Sequence, residues 1–286
     1  MDNGNCILVL IHMKYLAIII ILFASVGAVF LPVSAKAKVP VSSIKAVETY
    51  RVLKVVGKVS IEKAKVNLKI GDQFNSNDKL KFHSPNAQVA VVTNSRRRKV
   101  FSASSEGLKQ PLLQTLAQKN VTMRSGGIIN THVLSKHFSD TVLLLNKIKL
   151  AIEIPEFEQN QDNFYYMEFK HEGSTIAKKL PHDGNQLLIY RDSLFMIDDV
   201  VIAHPVLTQM TLKFRKVKSN SSVMIGEFMM ATPSLAEIMA QLDVFSTEWS
   251  DTKFENKELL TEAVNHLGMY YGKTTEEDMK RFYLNR

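Results

Sequence analysis

From Tyr50 onward, apolar and polar residues alternate in short runs. Val52, Val55, Val59 and Ile61 punctuate the first of them. Val66, Leu68 and Ile70 alternate with Asn67 and Lys69, Leu80 and Phe82 alternate with Lys79 and Lys81, and Val89, Val91 and Val100 continue the series. Period two with β-branched residues predicts strands buried on one face. Gly57, Gly71-Asp72, Asn75 to Asp78, Ser84-Pro85-Asn86 and Asn94-Ser95 break the runs with turn chemistry. Together they predict a compact β-meander or small barrel. Ser104-Ser105-Glu106 then reads as a cap for a short helix with Leu112, Leu113, Leu116 and Ala117 on one face.

A second alternating region follows Asp140. Thr141 to Ile154 is strongly apolar, with Lys147 and Lys149 alternating near its end. Phe164 to Phe169, a turn at Glu172-Gly173, and Thr175 to Leu180 predict one hairpin. Asp183-Gly184 leads into Gln186 to Tyr190, and Asp198-Asp199 sits between Leu194 to Ile197 and Val200 to Ala203 as a two-residue turn. Val206 to Phe214 and Val223 to Met229 complete the set. Many short strands at this spacing predict an antiparallel sandwich. The period then switches. Ser234 with Glu237 forms a capping box ahead of Leu235, Ile238, Met239 and Leu242, Lys257 to Tyr271 is apolar at helical spacing up to Gly272, and Thr275 with Asp278 opens a last short helix. The fold expected is mainly β. Residues 38–120 form a small meander or barrel-like domain, 121–232 an antiparallel β-sandwich, and 233–286 a short helical tail packing on the sandwich.

Within the first domain, Gly57-Lys58-Val59-Ser60-Ile61, Val66-Asn67-Leu68-Lys69-Ile70-Gly71-Asp72, Asn77-Asp78-Lys79-Leu80 and Ser84-Pro85-Asn86-Ala87-Gln88-Val89-Ala90-Val91-Val92 follow one another. This stretch, residues 50–105, resembles the β-repeat of FecR-type periplasmic domains. Those read G-x-V, L-x-x-G-D, D-x-I/L and small-x-A-x-V/L. Asn94-Ser95 and a basic run stand where that family usually carries Asp-Gly. The resemblance implies an envelope-associated, non-enzymatic binding or sensing module and carries over no functional residue.

The first forty residues change the picture. Lys14 precedes a long apolar run through residues 15–33, and Ala35-Lys36-Ala37 offers a small-x-small exit. This reads as a signal peptide over 1–37, or as an uncleaved anchor, since the run is just long enough to span a bilayer. Met13-Lys14 is a more natural signal start than Met1. Cleavage after Ala37 would leave 286 − 37 = 249 residues, enough for real cores. Hydrophobic content of 45% and charged content of 22% are ordinary for a globular chain. The single cysteine, Cys6, precedes the apolar run, which excludes a disulfide framework and a thiol nucleophile from the exported part. A bacterial cell envelope or periplasm is the compartment expected.

The net charge is +8, with one dense patch at Arg96-Arg97-Arg98-Lys99. The patch reads either as a solvated hairpin tip or as a contact for an anionic lipid or polyanion surface. Nucleic acid is not expected, because no aromatic residues interleave with the run. Catalytic motifs are sparse. His132 and His137 are five apart and form no zinc spacing, and His182-Asp183 sits in a turn. No cofactor or metal is predicted. The expectation is an exported, non-enzymatic binding or scaffolding protein whose partner is another envelope protein. The alternatives are an envelope polysaccharide or peptide hydrolase using His132, His137 or His182 as base, and a membrane-surface protein using the basic patch.

Overall fold

A computed structural model describes residues 47–103 and 127–285. The region read as a signal peptide, with Ala35 and Ala37, and the helix expected after Ser104 lie outside the described residues. Strands hold 41% of the described residues and helices 24%, which makes the fold mainly β. The described residues cluster as one compact unit.

The first seven strands are β1 (Thr49–Val56), β2 (Val59–Ile61), β3 (Val66–Asn67), β4 (Gln73–Asn75), β5 (Leu80–Phe82), β6 (Gln88–Thr93) and β7 (Arg98–Ser102). They form two antiparallel sheets, ordered β4-β1-β6-β7 and β3-β2-β5, and no closed barrel. Tyr50, Phe74 and Phe101 pack their rings 5.1 to 6.1 Å apart between them. Alternation predicts one buried face here, yet all but the first residue of β6 is buried. The reason is tertiary: Leu53, Ala90, Val92 and Val100 point away from the ring cluster into a second core, under the C-terminal helices.

The second region opens with α1 (Thr131–His137), capped by the Asn130 side chain accepting from Val133 N. Then come β8 (Thr141–Leu143), β9 (Lys147–Ala151), β10 (Asn163–His171), β11 (Ser174–Lys179), β12 (His182–Asp183) and β13 (Gln186–Tyr190). A helical turn, α2 (Arg191–Leu194), occupies ground where the pattern predicts the start of a strand. The short hairpin β14 (Met196–Ile197) and β15 (Val200–Val201) follows, then the long strands β16 (Leu207–Lys216) and β17 (Ser221–Ala231). Asp198 and Asp199 both take positive φ, the backbone that a two-residue hairpin turn requires. A five-stranded sheet, β11-β10-β16-β17-β8, faces the three-stranded sheet β12-β13-β9. Tyr165, Met167, Met210, Leu212 and Phe214 from the first meet Ile148, Leu150, Leu187 and Ile189 from the second in one core. Every pairing in the two sheets is antiparallel except β17 with β8.

The tail is three helices, α3 (Leu235–Trp249), α4 (Lys257–Tyr270) and α5 (Glu276–Leu284). Their apolar faces close a core that includes Leu143, Leu145 and Ala231 of the sandwich and Leu53, Ala90 and Val92 of the first sheet. The tail therefore packs on both β regions. Thr275 caps α5: its hydroxyl accepts from Asp278 N and donates to the Asp278 carboxylate, both at 2.9 Å. Thr275→Ala is expected to destabilise the fold by about 1 to 2 kcal/mol, measured by urea unfolding.

Candidate functional site

Strand pairing decides which side chains share a surface. In β10 the odd residues Tyr165, Met167 and Phe169 enter the core, so Phe164, Tyr166, Glu168 and Lys170 occupy the opposite face. In β16, Met210, Leu212 and Phe214 go inward, leaving Gln209, Thr211, Lys213 and Arg215 outside. The register sets Tyr166 opposite Lys213 and Phe164 opposite Arg215. On the flanking strands Lys179 lies opposite Tyr166, and Met224 lies opposite Lys213. Lys179, Tyr166, Lys213 and Met224 therefore form one row across four strands, with Phe164 and Arg215 in the next.

The row is held in place by local contacts. Lys179 Nζ stands 4.2 Å above the Phe164 ring centroid, and Phe164 meets Tyr166 edge to face at 6.4 Å. Lys213 Nζ donates to Glu168 Oε2 at 2.7 Å, and that hydrogen bond raises the lysine's pKa above its usual value. Arg215 donates to Ser222 Oγ and to the Asn220 side chain. Phe164 and Tyr166 are half-buried, whereas Lys170, Lys179, Met224 and Glu227 are exposed. The result is a cationic and aromatic sheet face with two carboxylates, Glu168 and Glu227, set among the cations. The sequence carries a signal for it in Phe164-x-Tyr166 and Lys213-x-Arg215, each pair sharing one side of a strand. That these two pairs lie opposite one another is known only from the register.

A polar groove of about 370 Å³ lies elsewhere, lined among others by Lys147, Tyr190, Asp192, Asp278 and Arg281. Of its charges, Arg281 is already paired with Asp278, at 3.0 Å, and with Glu277 outside the groove lining. A third cluster is part-buried, with the Glu237 side chain 37% exposed. Lys54 Nζ and Tyr271 OH both donate to Glu237 Oε1 at 2.7 Å, Gln241 Nε2 donates to Tyr271 OH, and His266 Nε2 donates to Gln241 Oε1 at 2.7 Å. This chain joins β1 to α3 and α4 inside the protein, where it serves packing.

The residues singled out by sequence fare differently. Arg96 takes positive φ in the β6–β7 turn, as a hairpin tip would require. Arg98 pairs with Glu262 of α4, Lys99 with Glu48, and Arg96 Nε donates to Glu248 O. Three of the four cations, Arg96, Arg98 and Lys99, are thus engaged within the protein, and Arg97 stands on the same turn. The histidines are dispersed over the fold: His132 on α1 is exposed, His137 at its end is half-buried, and His182 on β12 is exposed with Nδ1 3.1 Å from Gly184 O. Among the described residues no group of three or more His, Cys, Asp or Glu is placed to hold a metal ion. Among them, too, no helix is long and apolar enough to cross a membrane.

The chain matches no family model, no curated protein and no solved structure.

Proposed function

We propose that this chain is an exported, non-enzymatic binding or scaffolding protein of the bacterial cell envelope. The observation that carries the reading is the outer face of the five-stranded sheet. There Phe164, Tyr166, Lys179, Lys213 and Arg215 are gathered on a rigid, fully cored sandwich. A surface of this kind recognises a partner by area, charge and stacking, and requires no moving part. The signal-like run at 15–33 with Ala35-Lys36-Ala37 supports export, and the FecR-like repeat over 50–105 supports an envelope setting.

The test is crosslinking of tagged full-length protein in native envelopes, with the mature N-terminus mapped in the same experiment. The expected result is an envelope-fraction protein whose chain begins at Lys38, or is retained by residues 15–33. Its captured component should be lost in the double variant Tyr166→Ala, Arg215→Ala. A chain found in the cytoplasm with residues 1–37 intact would overturn export. Capture indifferent to the double variant would remove the sheet face from the reading.

A further inference from the structure

We propose that the outer face of the five-stranded sheet binds an acidic polysaccharide, a chain of sugar rings carrying carboxylates. This rests on the reading of the protein as a binding module and names the class of its ligand. Three requirements of such a ligand are met by one surface. Sugar rings present flat C–H faces that stack on aromatic rings, and the half-buried Tyr166 ring stands on this face, edge to face with the Phe164 ring that Lys179 covers. Uronate carboxylates need cations, and Lys179, Lys213 and Arg215 surround the two rings through the strand register. Ring hydroxyls need acceptors as well as donors, and Glu168 and Glu227 stand on the same face, both opposite Thr211. Neighbouring strands are about 4.8 Å apart, so the row from Lys179 through Tyr166 and Lys213 to Met224 runs about 14 Å. That is room for a short run of sugar rings laid across the strands.

The same features disfavour other anionic polymers. A nucleic-acid strand carries a phosphate with every nucleotide but few hydroxyl donors for Glu168 and Glu227, whereas each uronate ring carries its carboxylate together with hydroxyls that can donate to them. A bilayer is entered by side chains that protrude, whereas Phe164 and Tyr166 are half-buried in a sheet face, with the Lys179 ammonium over the Phe164 ring. A mixed-charge face with stacking rings fits a hydroxyl-rich polyanion of moderate charge density. The surface is also already ordered, through the Lys213–Glu168 pair and the Lys179–Phe164 contact, so little side-chain freedom is lost on binding.

The full-length protein in detergent is titrated calorimetrically with polygalacturonate and with alginate. The controls are a neutral glucan, single-stranded oligothymidine and vesicles containing phosphatidylglycerol. The expected result is binding of one or both uronates, weakened about tenfold by Tyr166→Ala and several-fold by Lys213→Ala. Raising salt from about 50 mM to about 300 mM should weaken it further. Arg97→Ala, in a turn remote in sequence from this sheet, should leave it unchanged, and unchanged melting temperatures should show that the variants fold. Uronate binding indifferent to Tyr166→Ala and Lys213→Ala would overturn the assignment of this face. Absence of uronate binding, with Tyr166-dependent binding of glucan, oligothymidine or vesicles, would overturn the ligand class and keep the binding reading. If no probe binds and crosslinking in envelopes ignores Tyr166→Ala, both readings fall.

Discussion

Gly272→Ala is expected to lower the unfolding free energy by about 4 kcal/mol in urea titration at neutral pH. Gly272 follows Tyr271, the C-cap of α4, and takes φ +117°. A Cβ there would lie 2.7 Å from Thr141 O and 2.6 Å from Thr141 Cγ2, so the added atom meets backbone that cannot yield. The contact is close because the chain is stitched to β8 at this point. Lys273 N donates to Thr141 O and Leu143 N donates to Lys273 O, both at 2.8 Å. Lys273 Nζ adds an ion pair to Asp140 at 2.8 Å. Gly71→Ala is the control that separates the two costs. Gly71 has φ +89° but nothing within 4 Å of its would-be Cβ, so only backbone strain of about 1 to 2 kcal/mol applies. Equal losses at the two positions would show that the Thr141 contact contributes nothing, and would remove the stitch from the account of how the tail is held.

Much of the secondary structure is legible in the sequence because it is encoded locally. Glu172-Gly173 and Asp198-Asp199 sit at positive φ between strands, and Ser234 and Thr275 cap helices through their own side chains. These devices act within a few residues, and a linear reading finds them. What depends on distant residues is less visible. The buried run of β6 reads as alternation until α3 and α4 cover its second face. The Arg96 to Lys99 run is prominent by charge, yet Glu48, Glu248 and Glu262, which engage it, lie far away along the chain. The candidate site shows the same divide. Phe164, Tyr166, Lys213 and Arg215 are ordinary strand residues one at a time. Only the register of β10 with β16 makes them neighbours, and sequence pattern without pairing does not fix register between strands more than forty residues apart.

Stability is expected to fall between pH 7.5 and pH 5, by about 2 kcal/mol from the half-buried His137, with the buried His266 acting in the same direction. Burial lowers the pKa of His137 to about 4, with the Lys273 charge adding to the effect. Burial likewise holds His266 well below 6.5, with the charges of Arg98 and Lys54 reinforcing it. Geometry gives the reason at His266. Its Nε2–H donates to Gln241, its ring lies against Phe245 and Tyr270, and its Nδ1 has no acceptor among the described residues. A second proton would therefore be buried without a partner. The sign follows. Above about pH 6.5 both rings are neutral folded and unfolded, and stability is flat. Below it the unfolded chain takes up protons that the folded chain refuses, so stability declines until the folded rings titrate. Glu48 and Glu237, although burial opposes it, are pulled below 4.5 by hydrogen bonds from Lys99 and Tyr50, and from Lys54 and Tyr271, respectively. Their losses come at lower pH than the histidine window. Burial raises Asp278, which works in the opposite direction in that same acid range. Urea unfolding repeated across the window measures the slope, and His266→Gln, which keeps a donor for Gln241, is expected to reduce it. A slope unchanged in both His266→Gln and His137→Gln would assign the acid sensitivity to the carboxylates instead.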